Sequence, residues 1–271
     1  MNSLLYAAPI WSLCYLDELE IIQSCFLRRS LYLPMATPLY MLRCETGRVP
    51  LKCAVFNNLI AFWIRILLME NNRLVRICYD RLIAVQNPVD EARYNWTKLL
   101  CNMLEDIGFL HVWVAQDALV AVHNWDAMCV AYRTKCIEED VFRLILSTSN
   151  PVYYLCWSSW KAANYLKFNM PFYIKSVISQ IRLNAQQLYF KGFKLSLGND
   201  YCYFCDCITP MSLEHLLLRC RSLSNSRNKC PLLLNSPSYS HLIVSLSSAD
   251  EPSVKSVFYF VVNLFKIDHP S

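Results

Sequence analysis

The sequence predicts a mainly α-helical protein, and three observations predict it. Glycine is scarce, with 4 in 271 residues, while long aliphatic side chains abound, which favours helices over tight-turned β structure. Apolar residues recur at three- and four-residue spacing in several windows. Helix start and stop residues stand at the ends of those windows. The apolar fraction of 55% excludes global disorder. The length suits one large domain or two modest ones.

The opening, Leu4 to Cys14, is apolar and has neither a cap nor a polar lead-in; it reads as the middle of a longer structure. Asp17 to Leu31 is expected to be helical: Leu19, Ile22, Phe26 and Leu27 share one side, and Arg28 and Arg29 fall in the last turns, where cations suit the helix dipole. Thr37-Pro38 reads as a cap followed by proline at the first helical position of Leu39 to Thr46, with Gly47 closing it. Pro50 starts an apolar helix reaching about Met69. Arg73 to Val85 is a further helix, followed by the loop Gln86-Asn87-Pro88. Asn95 caps Trp96 to Asp106, which Gly108 stops. Helices are also expected over Asp126 to Ser147, over Tyr153 to Leu166, and after Pro171, where Ile174, Val177, Ile178 and Ile181 share a face. Ser212 is placed to cap a short helix carrying His215. From Ser222 the chain is rich in Ser, Asn and Pro, with a Ser-rich link from Ser236 to Ser248. A last apolar run spans Val254 to Phe265.

Cys53 to Met69 approaches the length of a membrane span, but Asn57, Asn58 and Arg65 interrupt it. An arginine near the middle is costly in lipid, so a buried helix is expected and no membrane partner. The 14 cysteines are scattered rather than framed as a disulfide scaffold, and no signal peptide opens the chain. Reduced thiols and a nuclear or cytoplasmic location, without secretion, are the expectation.

Net charge is a mild +5, but its distribution is uneven. From Pro151 to Asn199 no Asp or Glu occurs, while Lys161, Lys167, Lys175, Arg182, Lys191 and Lys194 interleave with aromatics such as Trp160, Tyr173 and Phe190. That pattern suits a polyanion with stackable bases. It equally suits a solvated helix face over an aromatic core.

One cluster carries specific chemistry. Cys202, Cys205, His215 and Cys220 have the spacing C-x2-C-x9-H-x4-C. Thiolate and imidazole are the ligands Zn²⁺ prefers, and four of them with no open position suit a structural site. Such a site can hold a short segment folded without a core of its own, because metal binding supplies folding energy. Cys207 and Cys230 stand close enough in sequence to substitute as ligands. Catalytic signatures are missing: there is no Asp-Asp pair, P-loop, G-x-S-x-G or H-E-x-x-H. His111, beside Val112 and Trp113, reads as a core or boundary residue.

Five strings in order carry a family resemblance: SLLYAAPIW (Ser3 to Trp11), the run Ile21 to Leu51, FLHVWVAQD (Phe109 to Asp117), SQIRLN (Ser179 to Asn184) and CYFC…EHLLLRC ending at Cys220. Together they resemble the C-terminal half of a non-LTR (LINE/jockey-like) retrotransposon reverse transcriptase. The resemblance implies a thumb-like helical region over 1–85, a helical connecting region over 86–195, a CCHC zinc knuckle over 196–230 and a tail over 231–271. It implies that the thumb grips a primer–template duplex and that the knuckle contacts nucleic acid, an RNA/DNA duplex or the element's own RNA. The polymerase's metal-binding aspartates have no counterpart in this sequence, so no catalytic residue is assigned and the chain by itself is expected not to polymerise. Arg28, Arg29, Arg43 and Arg48 are candidate phosphate contacts on the thumb, and ordinary surface arginines near helix ends are the alternative. Lys175, Arg182, Lys191 and Lys194 are candidates in the basic stretch, and Arg219 and Arg221 beside the knuckle. The competing readings are a zinc-stapled helical protein-interaction module and a decayed reading frame without activity.

Overall fold

The computed structural model describes residues 7–84, 95–147, 160–198, 201–205 and 207–268. The loop at Gln86-Asn87-Pro88 and most of the helix expected from Tyr153 lie outside them. The described chain is mainly α, with α1 (Ala8–Trp11), α2 (Leu16–Leu31), α3 (Leu39–Thr46), α4 (Leu51–Leu67), α5 (Leu74–Ala84), α6 (Trp96–Asp106), α7 (Leu110–Ala115), α8 (Ala118–Ile145), α9 (Asn164–Lys167) and α10 (Phe172–Arg182). A hairpin of β1 (Gln187–Phe190) and β2 (Phe193–Ser196) follows. After it come a π-helical turn (His215–Arg219), α11 (Ser224–Arg227), α12 (Pro231–Leu234), α13 (Tyr239–Ser248) and α14 (Glu251–Asp268).

Local side-chain chemistry sets many of these ends. The Asn95 side chain accepts from the Thr97 and Lys98 amides, capping α6. Asp117 does the same for α8, accepting from Leu119 N at 2.6 Å and Val120 N at 3.3 Å. The helix expected from Asp126 therefore begins eight residues earlier, at Ala118. Pro38, Pro50 and Pro171 each occupy the N-cap with extended ψ of 141–143°. The prolines expected at the first helical position of α3 and α10 thus stand one step before it. Their carbonyls still accept the first helical bonds, from Leu42, Cys53 and Ile174.

The chain divides into two units by its internal contacts: 1–23 with 49–140, and 24–48 with 141–271. Both units are discontinuous, and the sequence boundaries after 85, 195 and 230 do not mark them. Helices pack against others distant in sequence, so contiguous stretches are not the packing units.

The first unit is built around α4. Phe56, Leu59, Ile60 and Trp63 are fully buried there with Tyr79, Leu100, Leu104, Val112 and Met128. Each large apolar side chain so buried contributes about 1.5–3 kcal/mol. The Trp63 indole N–H donates to Tyr79 Oη at 2.6 Å, and that hydroxyl donates to Gln116 Oε1 at 2.5 Å, so the polar atoms of both buried rings are satisfied. Asn57, Asn58 and Arg65 all lie on the exposed face of α4, as the helix period requires. The stretch is a half-buried core helix, as expected. Among the described residues no single helix is long and apolar enough to cross a membrane.

The second unit gathers α3, α9, α10, the hairpin and everything after it. α10 contacts β1, α13 and α14, and α12 contacts α14. The expected Ser-rich link is instead largely α13, capped by Ser238 Oγ accepting from His241 N at 3.2 Å. Leu242, Ile243 and Leu246 give that segment its buried face, which its serines obscure in the sequence. The hairpin was not expected from a glycine-poor chain. It turns on two residues, Lys191 (φ 48°) and Gly192 (φ 86°), the positive-φ pair of a twist-compatible tight turn.

Gly47 ends α3 at φ +64°, and a Cβ there would lie 2.3 Å from the backbone N of Ala162. Both the left-handed backbone and that close approach require glycine. Gly47→Ala is expected to destabilise by at least about 2 kcal/mol, since a left-handed L-residue alone costs about 1–2 kcal/mol. A urea melt measures this. An unchanged midpoint would mean that the α3 end and the 161–163 segment are not held together.

Candidate metal centre

The C-terminal cysteines and His215 come together through two short backbone devices. The first is a tight turn. Cys205 N approaches Cys202 O at 3.4 Å, Cys202 N donates to Thr209 O at 2.9 Å, and Thr209 N donates to Cys207 O at 2.8 Å. The second is the π-helical turn. Ser212 Oγ accepts from His215 N at 3.1 Å, as the cap expected there requires. Cys220 N donates to His215 O at 2.7 Å, an i→i+5 bond that brings the cysteine back toward the histidine.

The result is one potential ligand atom from each of Cys202, Cys205, His215 and Cys220, all within 4.8 Å of one another. Cys202, Cys205 and Cys220 are buried, and His215 is half-buried. His215 Nε2 lies 3.3 Å from Cys205 Sγ, and its Nδ1 lies 3.4 Å from Thr209 Oγ1. With Nε2 as the ligand atom, Nδ1–H donates to Thr209, which fixes tautomer and ring orientation. Thr209 is the residue that sequence reasoning missed. Only its position between the two ligand pairs hints at it.

The electrostatics of the cluster favour a cation. Burial alone would raise the Cys205 thiol. The Cys207 amide and the His215, Cys220 and Cys202 side chains outweigh it and hold Cys205 down at about 6. Burial, with Cys205 and Cys202 adding to it, pushes Cys220 up to about 12. Packed thiols therefore cannot all ionise unaided, whereas a divalent cation among them favours the thiolate of each. The cluster can hold a metal ion, and its all-thiolate-and-imidazole donor set fits a tetrahedral closed site.

The two substitute candidates stand differently from the cluster. Cys230 is buried against Ser256, Sγ to Oγ 3.1 Å, and lies outside the ligand set. Cys207 neighbours Cys205 but also stands outside it. The segment does not stand without a core: Leu213, Leu216 and Leu217 are buried in one cluster with Ile178, Leu242 and Val257.

The ten basic candidates separate by environment. Arg29, Arg48, Lys191, Lys194, Arg219 and Arg221 are exposed. Arg219 also donates to Pro237 O at 3.1 Å. Lys175 donates to Leu166 O at 2.9 Å, and Arg28 donates from Nε and Nη2 to Thr37 O at 2.9 and 2.7 Å, so both are partly committed within the fold. Two assignments are corrected. Arg182 is 2% exposed and ion-paired to Glu45, with Nε to Oε1 at 2.7 Å and Nη2 to Oε2 at 2.9 Å. Arg43 is 4% exposed. Neither guanidinium is presented to a phosphate. His111 is exposed beside the buried Val112 and stacks on Phe109, a boundary position.

No family model, no curated protein and no solved structure matches the chain.

Proposed function

We propose that this chain is a zinc-containing nucleic-acid-binding module, the thumb, connecting region and CCHC knuckle of a retrotransposon reverse transcriptase. The observation that carries the reading is the convergence of Cys202, Cys205, His215 and Cys220 within 4.8 Å. Zinc is the metal that this soft, four-donor set suits best. Exposed Arg219 and Arg221 flank the last ligand, and exposed Tyr201 and Tyr203 flank the first. Cations beside aromatic faces are what a phosphate backbone with unstacked bases engages. Lacking the polymerase aspartates, the chain binds rather than catalyses, in the nucleus or cytoplasm where its nucleic acid is found.

The test is fluorescence anisotropy of the zinc-loaded chain with an RNA–DNA hybrid and with single-stranded RNA across salt concentrations. Contacts to about four phosphates would cost on the order of a hundredfold in affinity between about 50 and 200 mM salt. The Arg219→Gln, Arg221→Gln double variant should reduce that slope. Salt-independent binding, or none, would sink the nucleic-acid reading and favour an apolar interaction module.

A further inference from the structure

A cavity of about 240 Å³ opens at the turn of the β1–β2 hairpin, lined by Tyr32, Tyr173, Ser176, Tyr189, Phe190, Lys191 and Gly192. We propose that it is a stacking site for one base of a single-stranded nucleic acid. This inference rests on the nucleic-acid reading above and names the part of the ligand that the second unit takes.

The size is below the roughly 300–1,000 Å³ of pockets for drug-sized ligands and suits one planar ring system. Four of the seven lining residues are aromatic, and none carries a carboxylate. The Lys191 ammonium is held over ring faces, 5.6 Å from the Phe190 centroid and 6.0 Å from that of Tyr173. The hairpin adds the exposed Lys194, and no acidic residue occurs from 151 to 199. An aromatic recess with one lysine and no carboxylate in its lining is complementary to a base with its phosphate.

The backbone supplies an independent observation. Tyr32 follows α2 at φ 51°, in the left-handed region. Leu33 N donates to Arg28 O at 2.9 Å, closing the helix end in the manner that normally calls for glycine at the preceding position. A bulky residue at such φ is strained, and Tyr32 is 62% exposed, so core packing does not account for it. The Ser176 hydroxyl donates to Leu31 O at 2.9 Å and fixes this helix end beside α10, which places the Tyr32 ring on the cavity wall.

Tyr32 therefore gives a discriminating variant. Tyr32→Gly deletes the ring and relaxes the backbone, so the melting temperature should hold or rise. Base stacking on one aromatic contributes about tenfold in affinity. The probes are short fluorescein-labelled oligo(dT) and oligo(rU) strands and an abasic strand of equal length. The wild-type chain should bind the base-bearing strands at least about tenfold tighter than the abasic one. Tyr32→Gly and Tyr173→Leu, each checked for folding by circular dichroism, should shrink that ratio and leave abasic binding unchanged. If neither variant changes the ratio, the stacking site is wrong while phosphate binding stands. If the wild-type chain binds no strand at all, both readings fall together.

Discussion

Glu45→Ala is expected to destabilise the protein by about 3–5 kcal/mol, the cost of stranding a buried charge. Glu45 is 1% exposed, and its carboxylate accepts from Arg182 at 2.7 and 2.9 Å and from the Tyr165 hydroxyl at 2.5 Å. Arg182 spends its remaining Nη1 on Ile243 O, and the Tyr165 hydroxyl also lies 2.6 Å from Ser179 Oγ. Burial, then the Glu45 carboxylate, pushes the Tyr165 hydroxyl far above its ordinary range, so it stays a neutral donor. Removing the carboxylate takes a bidentate counter-charge from a guanidinium that is 2% exposed in the core of the second unit. Apolar replacement of both partners, Glu45→Met with Arg182→Leu, should recover much of the loss, since a buried pair gains little over well-packed hydrophobes. Guanidinium melts of the two single variants and the double variant measure the coupling. A loss below about 1 kcal/mol for Glu45→Ala would show that the pair is hydrated in solution.

Removing the metal should have an effect of similar or larger size. The zinc-loaded chain is expected to carry one ion and to lose on the order of 5 kcal/mol of stability on chelation. That is part of the apparent binding energy of about 10–16 kcal/mol for structural zinc in small fingers. The fraction is partial because the segment also packs into a large apolar cluster. Cys220→Ser should reproduce the loss, since Cys220 is fully buried and joins the π-helical turn to the cysteine turn. Cys207→Ser, outside the ligand set, should retain the ion. Metal analysis and thermal melts with and without chelator are the measurements. A reduced chain that purifies without zinc and melts identically in chelator would reject the site.

These two cases differ in how far the sequence discloses them. The metal cluster is legible because its ligands fall within nineteen positions, and its spacing is a direct consequence of two short turns. The Glu45–Arg182 pair spans 137 residues, and nothing local distinguishes Arg182 from the lysines around it. Its place in a basic stretch therefore suggests a phosphate contact. The acid-free composition of that stretch is real, but a charge pattern along one segment is blind to an acid arriving from α3.

The helices divide in the same way. α3 and α6 fall at their expected residues, and α2 and α4 within a few, because proline, asparagine and glycine act on the backbone within one turn. α8 starts eight residues before the apolar pattern predicts, because the Asp117 side chain caps it there. α13 resembles a link in the sequence because serine is a poor local helix signal. It is helical because Leu242, Ile243 and Leu246 bury against α9 and α10.

The sequence alone therefore determined the helical class, most capped boundaries and which four residues converge at the candidate metal centre, all properties of groups that interact within a turn or two. Tertiary structure alone decided which basic side chains reach solvent, which serines lie in a helix, and how the discontinuous segments form two units. Those outcomes depend on burial, and burial is set by partners that lie far along the chain, beyond the reach of any local pattern.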